Sequence, residues 1–483
     1  MTYNPPAMKR RTYGFIFLIG LITLSIASSA PAQEAINVVG SPEPKGNLPK
    51  PSVEAQAPNT DADAREDSWN LHAQSTFVTQ RKNSFYAPYS QTTPAGQSLS
   101  TQRERSYSLT ETLYLGARLW KGAEFYANPE AVQGLALSSL YGLAGVQNGE
   151  LQKNGGVVQR GYWARAFLRQ TVNLGGQQFH VDDAANQMAS NYNKRRMVFT
   201  LGKIVQSDLF ERSSYANDPR SQFLNWSLIT HGAWDFAGDA RSYSIGAAGE
   251  LYWDDWAFRI GRYMEPKEAN GKYLDYNIAR HHGDVVEFEH NHNVGELPGS
   301  VRLLAFRNYA FAGKYRDAID AVAATPGVPP DIITVRKDSA KIGFGVSFEQ
   351  KLTKEIGAFV RGSYVTNSIE EFAFAEIDNS ISAGVVSKGA RWGRPDDAVG
   401  LAFVKNGLNR DHRDYLALGG LGGFIGDGKL TYRPERVVEL YYNFKLFKGV
   451  NFTLDYQQIT NPAYNEDRHG PVTVIGARLH LEL

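Results

Sequence analysis

Two stretches of this chain gather side chains that could do chemistry. Between residues 107 and 171, alternate positions carry Thr112, Tyr114, Arg118, Glu124, Tyr126, Asn128, Glu130, Trp163, Arg165 and Arg169. Guanidinium, carboxylate and amide groups supply strong hydrogen bonds, and the rings between them supply apolar faces. That mixture suits noncovalent handling of a polar solute. The plainer reading is that such charges pair with one another, and for any single residue it is the favoured one. The second stretch is RHHGDVVEFEHNH (280–292), with His281, His282, Glu287, Glu289, His290 and His292. Imidazole and carboxylate are zinc ligands. Strand alternation, however, sends Glu287 and Glu289 to one face and His290 to the other, so a structural or rim role is expected and no metal site is assigned. Neither a GxSxG elbow nor an HExxH helix motif occurs. Carboxylate pairs are numerous enough to leave glycoside hydrolysis open by composition, but nothing marks a guarded pair. No catalytic residue and no cofactor are assigned. LGGFIGDG (421–428) lacks the strand-to-helix setting of a phosphate cradle.

The elements that would position these residues repeat with a period of two. In ERVVELYYNFKL (435–446), Arg436, Val438, Leu440, Tyr442, Phe444 and Leu446 face one way, and Glu435, Val437, Glu439, Tyr441, Asn443 and Lys445 the other. The chain closes on PVTVIGARLHLEL, with Ile475, Leu479, Leu481 and Leu483 on one face and Arg478, His480 and Glu482 on the other. Sixteen segments fit this template, at 70–79, 107–119, 123–131, 161–171, 196–204, 242–252, 255–264, 284–291, 300–312, 338–351, 355–367, 378–387, 397–405, 435–447, 449–459 and 472–483. Their connections alternate between very short (120–122, 253–254, 352–354, 448) and long (80–106, 132–160, 205–241, 265–283, 313–337, 406–434), with 172–195 the main exception. A soluble sandwich has no reason to alternate so; an up-and-down transmembrane barrel does, with tight periplasmic turns and long external loops. A sheet in lipid must also close on itself, because each unpaired backbone group costs several kcal/mol there. The last strand should therefore pair with the first. Glu111 and Lys203 fall on the lipid-side parity, which implies either positions near the rims or a different register there.

Composition agrees. Lys+Arg 51 against Asp+Glu 50 leaves no field that would recruit nucleic acid. The 25 Tyr, 25 Phe and 46 Gly suit strands and turns. The absence of cysteine excludes disulfides, thiolate metal sites and a lipoprotein anchor. Residues 1–32 read as a signal peptide: Lys9, Arg10 and Arg11, then the apolar YGFIFLIGLITLSIA, then APA before Gln33. Residues 33–68 read as a Pro-rich, disordered periplasmic leader, with Pro42, Pro44, Pro49, Pro51 and Pro58. After Gln33 no apolar run approaches the ~20 residues of a spanning helix, so the barrel occupies 69–483.

Several long segments resemble the carbohydrate-selective porin family of Gram-negative outer membranes: LYLGARLWKGAEFYANPE (113–130), YANDPRSQFLNWSLITHGAWDF (215–236), LLAFRN (303–308), ARWGRPDDAVGLAF (390–403), LGGFIGDG (421–428) and DYQQITNPAYNEDRHGPV (455–472). The resemblance runs in order from about Trp69 to Leu483. It implies a sixteen-stranded outer-membrane porin passing small sugars such as glucose. Two features depart from the pattern: the chain ends on Leu483, where such barrels usually end on an aromatic residue, and the leader is longer than a barrel needs.

In that frame the ten alternate positions line the lumen, and Tyr114, Arg118, Glu124, Tyr126, Asn128, Glu130, Trp163, Arg165 and Arg169 form the expected sugar-contacting set. Charged and amide groups would meet hydroxyl edges, and rings the apolar C–H faces. An inward long loop should narrow the bore; 132–160 and 205–241 are the candidates, the latter with Trp226 and Trp234. Partners would be small sugars, outer-membrane lipid and lipopolysaccharide; the residues leave self-association open. Two rivals stand: a general or structural barrel tied to a periplasmic partner, and a barrel enzyme acting on glycan or lipid.

Overall fold

The computed structural model describes residues 66–90, 96–151 and 156–483. The signal peptide and all of the leader up to residue 65 lie outside the described residues. Sixteen antiparallel strands close into one barrel. In chain order they are β1 (Trp69–Lys82), β2 (Glu104–Trp120), β3 (Ala123–Leu135), β4 (Arg160–Val181), β5 (Ser190–Ile204), β6 (Ser244–Trp253), β7 (Trp256–Met264), β8 (His282–Val294), β9 (Leu297–Ala312), β10 (Lys337–Lys351), β11 (Ile356–Val365), β12 (Asn379–Gly389), β13 (Arg394–Gly407), β14 (Glu435–Phe447), β15 (Val450–Thr460) and β16 (Val472–Glu482). Every expected strand is present. Closure is made as the pairing argument requires: Gln74 lies opposite Glu482, and the register runs to Lys82 opposite Val474. Backbone bonds between Ala73 and Leu483, 2.9 and 3.2 Å, finish the seam.

The outer face carries the apolar half of the alternation. Leu113, Leu115, Phe199, Leu201, Ile260, Phe344, Leu401, Leu440 and Ile475 are all exposed there. The inward residues are mostly polar or charged and buried. The wall therefore presents apolar side chains to lipid while the strands pair their backbone groups in a closed antiparallel ladder, interrupted at a few bulges.

One connection expected as a long loop is not a loop. Residues 172–181 and 190–195 continue β4 and β5 as a paired hairpin, turning only at 182–189. With that correction the short and long connections alternate without exception. Register shifts near Asn173 and Gly175 bend this hairpin and obscure its period in the sequence. Of the two parity offenders, Lys203 sits one residue from the upper end of β5, its ammonium 5.7 Å from the Tyr243 ring. Glu111 accepts a 2.7 Å hydrogen bond from Gln159 outside the wall.

The long loops turn into the bore and build an apolar core there, including Trp226, Trp234, Phe236, Phe374, Phe424, Ile425 and Tyr464. Buried carboxylates fix them by collecting backbone N–H groups. Glu435 accepts from Ala144 (3.0 Å) and Gly145 (2.7 Å). Glu439 accepts from Leu224 (2.5 Å) and Asn225 (3.0 Å). Asp235 accepts from Phe372, Ala373 and Phe374 at 2.8–2.9 Å. Each such bond is worth roughly 1 kcal/mol, and breaking one would leave a costly buried orphan.

Candidate functional site at the bore constriction

A cavity of about 400 Å³ opens inside the barrel, walled by β1–β4 and the hairpin tip at Ala185 and Asn186 on one side and by the loop 205–243 on the other. That volume falls within the range of small-molecule sites. The loop tip that narrows it is DPRS, Asp218–Ser221. Asp at the first position and Pro at the second are the residues a type I turn favours. The Asp218 carboxylate accepts from Arg220 N (3.0 Å) and Ser221 Oγ (2.9 Å), and its carbonyl accepts from Gln222 N (2.8 Å). Arg478 on the last strand donates from Nη1 to the carbonyls of Pro219 (2.7 Å) and Gln222 (2.8 Å). The closing strand thus clamps the turn that carries Arg220.

Arg220 stands at the centre. Its Nε lies 3.1 Å from both carboxylate oxygens of Glu150, which the loop 136–159 supplies. Its Nη2 is 3.2 Å from Glu130, and its Nη1 donates to the Tyr114 hydroxyl at 3.1 Å. Glu130 further accepts from Thr112 Oγ1 (2.6 Å), Tyr243 (3.3 Å) and Tyr162. Beside it Arg165 holds Asp208 through two bonds, 2.7 and 2.8 Å, with its guanidinium 5.4 Å from the Tyr243 ring. Arg241 lies 4.4 Å from the Tyr162 ring. Burial alone would raise the Asp208 carboxyl, but the Arg165 charge outweighs it and holds it below the usual carboxylate range. Burial wins at Glu150, whose carboxyl is pushed up despite Arg220.

The charged groups lining the cavity are four guanidiniums, Arg165, Arg212, Arg220 and Arg241, and four carboxylates, Glu130, Glu150, Asp208 and Asp218. The lining is electrically balanced but strongly polar. Rings of Tyr114, Tyr243, Trp226, Phe236 and Phe374 complete it.

The residues singled out from sequence separate into three groups. Tyr114, Glu130 and Arg165 meet at the constriction. Arg118, Glu124, Tyr126, Asn128 and Arg169 lie further toward the short-turn end and hold the hairpin tip 182–189, which folds into that mouth. There Arg118 donates to Ala189 O (3.1 Å) and Ser190 Oγ (2.6 Å). The Tyr126 hydroxyl donates to Glu124 (2.8 Å) and accepts from Met188 N (3.1 Å). Asn128 pairs with Asn186 (2.9 Å), and Arg169 donates to Asn186 O (2.9 Å). Trp163 joins neither group: it is 59% exposed on the outer face. Its inward assignment is corrected by a β-bulge. Pro129 cannot donate to the ladder, and one extra residue of β4, Ala164, falls between the Asn128–Arg165 and Pro129–Trp163 pairs. The parity flips there, so Tyr162 points inward instead. A proline inside β3 was the sequence signal for this bulge.

Of the two candidate loops, 205–241 forms the narrowing and 132–160 adds Gly149, Glu150 and Leu151. Trp226 lines the cavity and stacks on Phe374 at 5.8 Å; Trp234 is buried behind it against Phe236. Arg212, Arg220, Arg241, Glu150 and Asp208 were missed because loop residues carry no parity to read.

The histidine-rich stretch is dispersed. His281 bonds Asp275 (2.7 Å) and Asp338 (3.2 Å) at the extracellular rim. Glu287 and Glu289 face inward, each 2.7 Å from Arg259. His290 stacks on Trp256 with centroids 4.0 Å apart, and His292 bonds Gln350.

A family model described as carbohydrate-selective porin, OprB family, matches residues 96–483. A segment of 210 residues is 27% identical to Porin B of Pseudomonas aeruginosa, spanning 41% of this chain and 44% of that protein's length. The high-pH structure of Pseudomonas putida OprB superposes with a TM-score of 0.64 at 17% identity, over 86% of this chain and 94% of that one.

Proposed function

The chain belongs to the carbohydrate-selective porin, OprB family, a family of the Gram-negative outer membrane, and from that premise we propose that it passes small neutral sugars, glucose among them, by passive diffusion through the constriction around Arg220. The balanced lining carries this reading. Four cations and four anions within one cavity favour neither sign of ion by net charge. Each offers hydrogen bonds that a polyhydroxylated solute can take up in place of water: hydroxyl hydrogens to Glu130, Glu150 and Asp218, hydroxyl oxygens to Arg220 and Arg241. Tyr162 and Tyr243, with centroids 5.9 Å apart, and Trp226 offer flat faces to the C–H sides of the ring. Because the arginines and acids already bond one another, a sugar gains only the difference between two sets of bonds. Weak binding is what conduction requires: entry must be favourable and exit fast. No energy source is needed for flow down a gradient. Of the positions named from sequence, Tyr114, Glu130 and Arg165 are the ones we assign to sugar contact.

Liposome swelling tests this directly. Proteoliposomes should swell several-fold faster in glucose than in amino acids of similar size. Equal rates would make the protein a general diffusion pore, and no swelling in either would reject a channel.

A further inference from the structure

Outward-facing cations gather on one arc of the wall. Arg81 on β1 lies directly opposite Arg105 on β2, and Lys405 on β13 directly opposite Arg436 on β14. All four are exposed, while their chain neighbours Lys82, Ser106, Val404 and Val437 are buried on the inward side. Each lies within two residues of its strand's long-loop end, which is the extracellular edge. Strands β13, β14, β15, β16, β1 and β2 are consecutive neighbours in the closed wall. The four charges therefore share an arc of five inter-strand gaps, roughly 24 Å at about 4.8 Å each.

Like charges directly opposite on antiparallel strands repel and destabilise the pair. Here none of the four has an ion pair among the described residues. Another part of the same edge is built differently. Outward Arg262 on β7 is held by Asp284 of β8 at 2.6 and 2.8 Å, and Asp284 in turn lies opposite Arg307 on β9. A carboxylate compensates the cations there and is missing from the β13–β2 arc. Beside and below the four cations the outer wall exposes Phe403, Tyr456 and Ile475.

We propose that this arc binds lipopolysaccharide of the outer leaflet. Its phosphates neutralise Arg81, Arg105, Lys405 and Arg436, and its acyl chains lie on Phe403, Tyr456 and Ile475. Guanidinium groups match phosphate oxygens in charge and geometry. The apolar strip beneath selects an amphiphile over a free anion, and the extracellular edge selects the lipid of that leaflet.

The test uses the full-length protein in detergent. Purified lipopolysaccharide is titrated against wild type, the quadruple variant R81Q/R105Q/K405Q/R436Q, and a control, K388Q/R391Q, at the periplasmic end. Dephosphorylated lipopolysaccharide and phosphatidylglycerol form separate arms. The quadruple variant should bind at least tenfold more weakly with the control unchanged, and wild type should prefer the phosphorylated lipopolysaccharide at least tenfold over either other lipid. In lipid-free detergent the quadruple variant should melt at or above wild type, because repulsion is relieved. Sugar flux should not change. Equal affinity of wild type and quadruple variant, equal binding of the dephosphorylated form, phosphatidylglycerol binding as tightly, or a lower lipid-free melting point would each overturn the proposal.

Discussion

Replacing Arg220 by Gln removes one positive charge from a balanced constriction and leaves the loop turn intact, since Arg478 grips Pro219 and Gln222 by their carbonyls. Glu130 and Glu150, which Arg220 meets at 3.1–3.2 Å, then face the lumen with one cation fewer. The lining shifts from four against four to three cations against four anions. A permeating ion ~6 Å from the lost charge, in an effective dielectric of ~40 between protein surface and water, feels a change of about 1.4 kcal/mol, or roughly tenfold in local concentration. Reversal potentials across a planar bilayer in a salt gradient read this quantity. Potassium gains this amount and chloride loses it, so wild type should discriminate weakly between them, whereas R220Q should prefer potassium by up to roughly a hundredfold. The shift should shrink at high salt, as screening requires. Glucose swelling should fall as well, because the five-donor guanidinium lining the cavity is replaced by a shorter amide with two donors. If R220Q kept wild-type ion selectivity and wild-type sugar flux, Arg220 would not face the conducting path, and the assignment of the constriction would fail.

Three further outcomes follow from the same geometry. The Glu150 carboxyl is raised by burial, so it should take up a proton, as pH falls, at a pH above the ordinary glutamate value of 4.5; anion preference should rise through that window in wild type and not in E150Q, read as reversal potential against pH. Gly345 on β10 leaves room for the buried His231 of the constriction loop, where an added Cβ would lie 2.4 Å from the imidazole; Gly345→Ala should cost about 1–3 kcal/mol by overpacking and make the loop 205–243 more open to protease, with an unchanged digestion pattern counting against this packing role. Tyr162→Ala should lower sugar selectivity while Trp163→Ala, one residue on, leaves flux untouched, and the reverse order in swelling assays would put the bulge in the wrong place.

Much of this architecture could be read from residues alone, for a physical reason. In a barrel wall each residue faces either lipid or lumen, so a strict two-residue period reports both the element and its orientation. Arg478 was placed inward by that rule, and it lies inward, clamping the constriction loop. The period fails where a bulge intervenes, as at Trp163, and where a bent hairpin weakens it, as at 172–195. It says nothing about loops. Arg220, Glu150, Asp208 and Arg241 have no alternation to betray them, and their role arises only when the loops fold inward.

The sequence by itself therefore determined the closed sixteen-stranded wall, its lipid and lumen faces, and which loops were long enough to enter it, because burial against lipid or water acts residue by residue along a strand. Only the tertiary structure decided that Glu130, Arg165 and Arg220 meet, that Arg118, Tyr126 and Arg169 instead secure a periplasmic hairpin, and that four cations line one outer arc. Those outcomes depend on register and closure, which bring together residues as distant as Arg81 and Arg436, and no local pattern encodes them.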